Sequence, residues 1–240
     1  MSTARTNLIR LGAISMAAAA LLGAASAAGA APPSSSSAGN SDSDAVPASL
    51  AGIKAKATTD ITDRVNDLNA AIARVNAANA LGSGQAALVA YLGTDVTPLQ
   101  QLDQKIGGDA TVQQAARDFS TIFSDYRVYV LVLPASRIAA DADRVTSTVI
   151  PTLTADASKA RGQENPQNQA QLQPLIEDLN AQIGAASNAT NGLAATVLAF
   201  TPAQWNANHD VLSAAKSSAR VADAAVTKGR WDVQQIRQVR

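Results

Sequence analysis

Residues 172–200 read LQPLIEDLNAQIGAASNATNGLAATVLAF. In this stretch Leu172, Ile176, Leu179, Ile183, Ala186, Thr190, Leu193, Val197 and Phe200 recur in unbroken steps of four and three. Such steps put the apolar side chains on one stripe of a helix, as in a coiled-coil seam. The spacing therefore predicts a long helix and sets the expectation for the rest of the chain. Upstream, Ile61, Val65, Leu68, Ile72 and Val75 repeat it within a helix expected from about Leu50 to Leu81, ended by Gly82-Ser83-Gly84. Asp60, Asp63, Arg64, Asp67 and Arg74 fall off that seam. Downstream, Thr201-Pro202-Ala203-Gln204 has the form of a capping box. It opens a final helix running towards Val239, with a seam through Trp205, Asn208, Leu212, Ala215, Ala219, Ala222, Val226, Gly229, Val233 and Ile236.

Between these helices the pattern is shorter. Gln85–Leu92 is stopped by Gly93; Thr97-Pro98-Leu99-Gln100 repeats the capping-box form; Gly107-Gly108 ends that piece, and another runs from about Asp109 to Phe123. A second long helix is expected from Ser136, with Ile138, Ala142, Val145, Val149 and Leu153 on its seam and Pro151 kinking it or ending it near Ile150. A polar loop follows over Gly162–Asn168. The exception is Tyr126-Arg127-Val128-Tyr129-Val130-Leu131-Val132-Leu133-Pro134, whose β-branched and aromatic residues favour extended backbone, leaving an extended buried connection or a helical turn forced by packing as the two readings. The expected fold is all-α: an elongated antiparallel, coiled-coil-like helical bundle with a short non-helical apolar crossover near 126–134.

The chain has 240 residues, no cysteine, one histidine, and 19 basic against 19 acidic side chains. Absent cysteine excludes a disulfide scaffold, a thiolate zinc site and a lipid-modified cysteine. Balanced charge argues against a nucleic-acid binder, which usually carries a basic excess. Alanine supplies much of the apolar content, and it favours helix. Arg5 and Arg10, an apolar run from Leu11 to Ala25, and small residues at Ala25-Ser26-Ala27 and Ala28-Gly29-Ala30 form the three parts of a secretory signal peptide. The expected organisation is a signal peptide over 1–30, cleaved after Ala27 or Ala30, a Ser/Pro/Asp linker over 31–49, and a helical domain over 50–240. Once the signal is removed no segment is long and apolar enough to span a bilayer, so the chain is expected to be secreted or associated with the cell envelope.

Catalytic signals are thin. His209, within Asn208-His209-Asp210, reads as a surface histidine rather than part of a nucleophilic relay. Asp141 and Asp143, two apart on a helix, diverge too far to share an ion. Asn188-Ala189-Thr190 matches a glycosylation sequon, but its threonine lies on a seam. No catalytic residue, cofactor site or metal site is assigned. Two features suggest binding. Phe119, Phe123, Tyr126 and Tyr129 gather four aromatics in eleven residues, read first as a bulky core centre and second as a surface presenting Tyr126, Arg127 and Tyr129. From Lys216 onward, six basic residues stand against two acidic ones, and Arg230, Trp231 and Arg237 are the candidates there for contact with an anionic envelope polymer or headgroup.

The run Asp125–Pro134, followed by a helix over Arg137–Arg144, and the later Trp205-Asn206-Ala207-Asn208-His209, resemble secreted, alanine-rich helical proteins of high-GC Gram-positive bacteria. The resemblance covers residues 50–240. It implies export and a helical fold and carries no site residues. The expected function is a non-enzymatic interaction or structural component of the envelope or medium, oligomeric or not, with an unknown protein or envelope polymer as partner. The alternatives are a carrier holding an apolar ligand between helices and, last, a hydrolase.

Overall fold

The computed structural model describes residues 46–239, so the signal segment and residues 31–45 of the linker lie outside the described residues. Among these residues all regular structure is helical. α1 (Leu50–Ala77) starts where the Ser49 hydroxyl accepts the Gly52 N–H at 3.1 Å, satisfying one of the orphan donors of the first turn. Three shorter helices pack on it: α2 (Gly84–Gly93), α3 (Val96–Gly108) and α4 (Val112–Ser124). α5 (Leu133–Arg144) and α6 (Ile150–Arg161) form one continuous helical run with two π turns, Val128–Val132 before α5 and Val145–Val149 between the two. α7 (Gln169–Thr190) lies against α6 and against α10 (Ser213–Val239). The single-turn helices α8 (Leu193–Leu198) and α9 (Pro202–Ala207) complete the chain.

The extended crossover expected at 126–134 is not there. Only Tyr126 and Arg127 lie outside regular structure, and Val128–Val132 is π-helical: the Val132 N–H reaches the Arg127 carbonyl and the Leu133 N–H that of Val128. An isolated strand would have left its backbone groups unpaired, and a helical turn pairs them locally. Burial of Val128, Leu131 and Val132 outweighs the β preference of the run. Both π turns stop two residues before a proline, Pro134 and Pro151. Proline has no N–H, and its ring collides with the carbonyl four residues back. The wider turn moves that carbonyl aside, so Pro151 neither ends nor breaks the helix.

Two other seams are interrupted. Gly192, in the left-handed region at φ 67°, separates α7 from α8, and Asn208–Leu212 forms turns between α9 and α10. Asn208 is thus exposed in a turn, its Oδ1 accepting the Asp210 N–H, rather than buried on a seam. Of the two expected capping boxes, Thr201–Gln204 forms, whereas α3 begins earlier, at Val96, and takes Thr97 and Pro98 inside its first turn.

Buried side chains form two clusters. The first joins α1 to α4, the Val128–Val132 turn, α5, α8 and the start of α10, around Ile53, Leu68, Phe119, Ile122 and Leu131. The second joins Val145, Val149 and α6 to α7 and the later part of α10, around Leu153, Leu172, Leu179, Val226 and Ile236. The break at Gly192 passes the chain from the second cluster, which holds Ala186, to the first, which holds Leu193.

Candidate functional site

The structure brings Tyr126, Arg127 and Tyr129 together at the corner between α4 and α5. Arg127 is the one non-glycine residue with positive φ, 46°, among the described residues. Its Nε–H donates to Asn206 Oδ1 at 2.7 Å, and Asn206 Nδ2 donates to the Ser124 carbonyl at 2.9 Å. Arg127 therefore ties this corner to α9. Phe119 and Phe123 are buried and meet edge to face at 5.3 Å. The Arg64 guanidinium lies 4.8 Å from the ring centres of both Phe123 and Tyr129, an arrangement stabilised by attraction of the cation to the two ring faces. Arg64 is 4% exposed, which corrects its placement off the α1 seam. The Tyr129 hydroxyl is buried near Asp67 without meeting hydrogen-bond geometry, and burial, with Asp67 beside it, raises its pKa. Most of the aromatic cluster is thus the bulky centre of the first core.

Arg230, Trp231 and Arg237 occupy a different place, on α10. All three are exposed, Trp231 by 52%. Arg230 and Arg237 sit two turns apart on the wall of a groove of about 300 Å³ between α10 and α6, with Thr148, Thr152 and Asp156 opposite. Arg237 is paired with Asp156 at 3.8 Å. On the neighbouring face of α10, Lys228 Nζ bridges to Asp178 of α7 at 2.9 Å.

Two carboxyl groups were not singled out by the sequence. Asp232 is fully buried on α10, and neither of its oxygens has a hydrogen-bond partner. Burial, reinforced by Asp178 and partly offset by Lys228, raises its pKa. Asp95, between α2 and α3, is pushed up to about 6 by burial. Tyr91, one turn before it, is pushed up to about 12 by burial and by the Asp95 charge. His209 is exposed, its ring 5.6 Å from that of Trp205. Thr190 of the sequon is buried and donates to the Ala186 carbonyl at 2.9 Å. Asp141 lies 3.7 Å from Arg144, whereas Asp143 accepts from Gly82 and Gly84, so the two carboxylates do face different ways. No group of three or more metal-ligating side chains converges, and no helix is long and apolar enough to cross a membrane, among the described residues.

No protein-family model, curated protein or solved structure matches the chain.

Proposed function

We propose that this is an exported, non-enzymatic helical protein of the cell envelope or medium that binds an anionic envelope polymer through α10. The observation that carries this reading is the placement of Arg230 and Arg237 on one groove wall, beside an exposed Trp231. Two guanidinium groups two turns apart, about 10 Å at 1.5 Å per residue, match repeating charges on a polymer. Guanidinium forks suit phosphate and carboxylate groups, and an adjacent indole adds apolar contact area at little entropic cost. The signal-peptide pattern at the N-terminus supports export.

The test is co-sedimentation of the mature protein with purified anionic cell-wall polymer across a salt series. Binding is expected to fall as ionic strength rises, and R230E/R237E is expected to abolish it with the circular dichroism melt unchanged. Retention by the double variant, or equal binding to an uncharged glucan, would sink the reading. N-terminal sequencing of protein from culture medium should begin between Ala28 and Pro33.

A further inference from the structure

A second groove, of about 220 Å³, runs between the C-terminal end of α1 and α5. Val75, Leu81, Leu92 and Leu133 make its floor apolar, and the small Ala78 and Ala140 keep it open. Three arginines stand around it, Arg74 from α1 and Arg137 and Arg144 from α5, against one acid, Asp141. Asp141 is paired with Arg144. Arg74 and Arg137 are exposed and take no ion-pair partner among the described residues.

One wall of the groove is fixed in advance. The loop carrying Ala78 and Leu81 is pinned to the α5–α6 run: the Gly82 and Gly84 N–H groups donate to the two oxygens of Asp143 at 2.6 and 3.2 Å, and the Thr148 hydroxyl donates to the Ala80 carbonyl at 2.8 Å. A side chain on Gly82 would overlap Ser147, and one on Gly84 would approach Asp143 within 2.6 Å. Both glycines therefore permit the close docking that holds the wall. A preformed apolar groove with a few charged groups at its edge is the general form of a small-ligand site.

We propose that this groove binds a single-chain amphiphilic anion, an alkyl carboxylate, with its head on the guanidinium groups and its chain along the Leu133–Leu81 floor. The apolar floor of Val75, Leu81, Leu92 and Leu133 suits an alkyl chain, and the excess of arginine over acid at its edge complements an anionic head. The arginines supply the forked donors that a carboxylate accepts. The site lies on other elements than Arg230 and Arg237, and its occupancy does not depend on the polymer-binding reading.

The test is calorimetric titration of the full chain with dodecanoate below its micelle concentration. Saturable binding of one equivalent is expected, with dodecanol and dodecyltrimethylammonium at least tenfold weaker and acetate without effect. R74Q/R137Q/R144Q should weaken dodecanoate binding at least tenfold at an unchanged melting temperature, while R230Q/R237Q leaves it intact. A140L, which fills the floor, should block the chain even if the triple variant folds poorly. Equal binding of the alcohol or the ammonium compound overturns the proposal, as does binding of acetate. Loss on R230Q/R237Q instead of on the groove variants overturns it too.

Discussion

Arg64 shows how a single side chain can be hidden in an alanine-rich sequence. The spacing Ile61, Val65, Leu68, Ile72, Val75 is a valid stripe, yet Ala57, Ile61, Arg64, Leu68, Ala71 and Val75 are also all buried. The real buried face is wider than one seam, because α2, α3 and α4 all pack on α1. Alanines at 57 and 71 masked it, and a charge at position 64 argued for solvent. The arginine is accommodated by the faces of two rings and by its Nη1 donating to the Asp60 carbonyl at 2.9 Å. Arg64→Ala removes these contacts and leaves a void beside Phe123. It is expected to cost about 2–3 kcal/mol, read as a lower urea midpoint at constant slope. Arg64→Lys should recover little, since an ammonium does not stack as a flat guanidinium does. Asp232 was hidden in the same way, one residue ahead of Val233 on a helix whose charges otherwise face outward.

At the scale of elements, helix content was legible outside Val128–Leu133 and helix continuity was not. Periodicity reports which face is buried and is silent on whether the backbone between two matching residues stays helical. The Leu172–Phe200 pattern runs straight through Gly192 because α7 and α8 each bury the same phase against different cores. Asn191-Gly192 was the available break signal, whereas Gly82-Ser83-Gly84, expected to stop a helix running to Leu81, does not end it: α1 stops at Ala77 and Gly84 opens α2. Those glycines serve close approach to Asp143 and Ser147, with no positive φ at either. The glycines thus separate by mechanism. Gly192→Ala should cost about 1 kcal/mol through the left-handed conformation. Gly82→Ala should be destabilising through overlap with Ser147. Gly184→Ala, within α7 and open to solvent on its Cβ side, should gain about 0.5–1 kcal/mol from helix propensity. Thermal melts of the three variants check this order, and a stabilised Gly82→Ala would refute the docking role.

For the whole molecule, the two displaced carboxyl groups give stability an acid-leaning profile. Asp95 titrates at about 6 in the fold against about 3.9 in an unfolded chain, and Asp232 is displaced in the same direction. Between those values the folded chain holds protons that the unfolded chain gives up. The Asp95 contribution is therefore fully present below about pH 4 and lost as pH rises through 6, and that of Asp232 is likewise lost as pH rises. Asp178 is displaced the other way by Lys228 and Gln182, so its contribution fades only below the ordinary carboxylate range. The melting temperature should accordingly rise as pH falls from 7 to 5. Asp95→Asn/Asp232→Asn should flatten that slope and be the more stable protein at pH 7; a melt rising with pH instead would refute the assignment. The two candidate faces were unequally legible at this scale. A local charge bias disclosed Arg230, Trp231 and Arg237, whereas Arg74 and Arg137 lie far apart in sequence and meet only because the Ala78–Ser83 loop docks on the α5–α6 run.

The π turn at Val145–Val149 has a consequence for chain length. Ala142, Val145, Val149, Leu153, Ala157 and Ala160 are all buried, and three successive steps of four would carry a plain α-helix out of phase with its core. The turn absorbs that drift as one surplus residue. Deleting Thr146, which leaves Ser147 and Thr148 to hold the Ala80–Gly82 loop, turns the steps into an ordinary mixture of threes and fours and keeps α5 and α6 each facing its own core. The same deletion inside α7 would rotate every later contact by about 100°. Single-residue insertions and deletions in relatives of this chain should therefore collect at this turn, where the helix already carries a spare position.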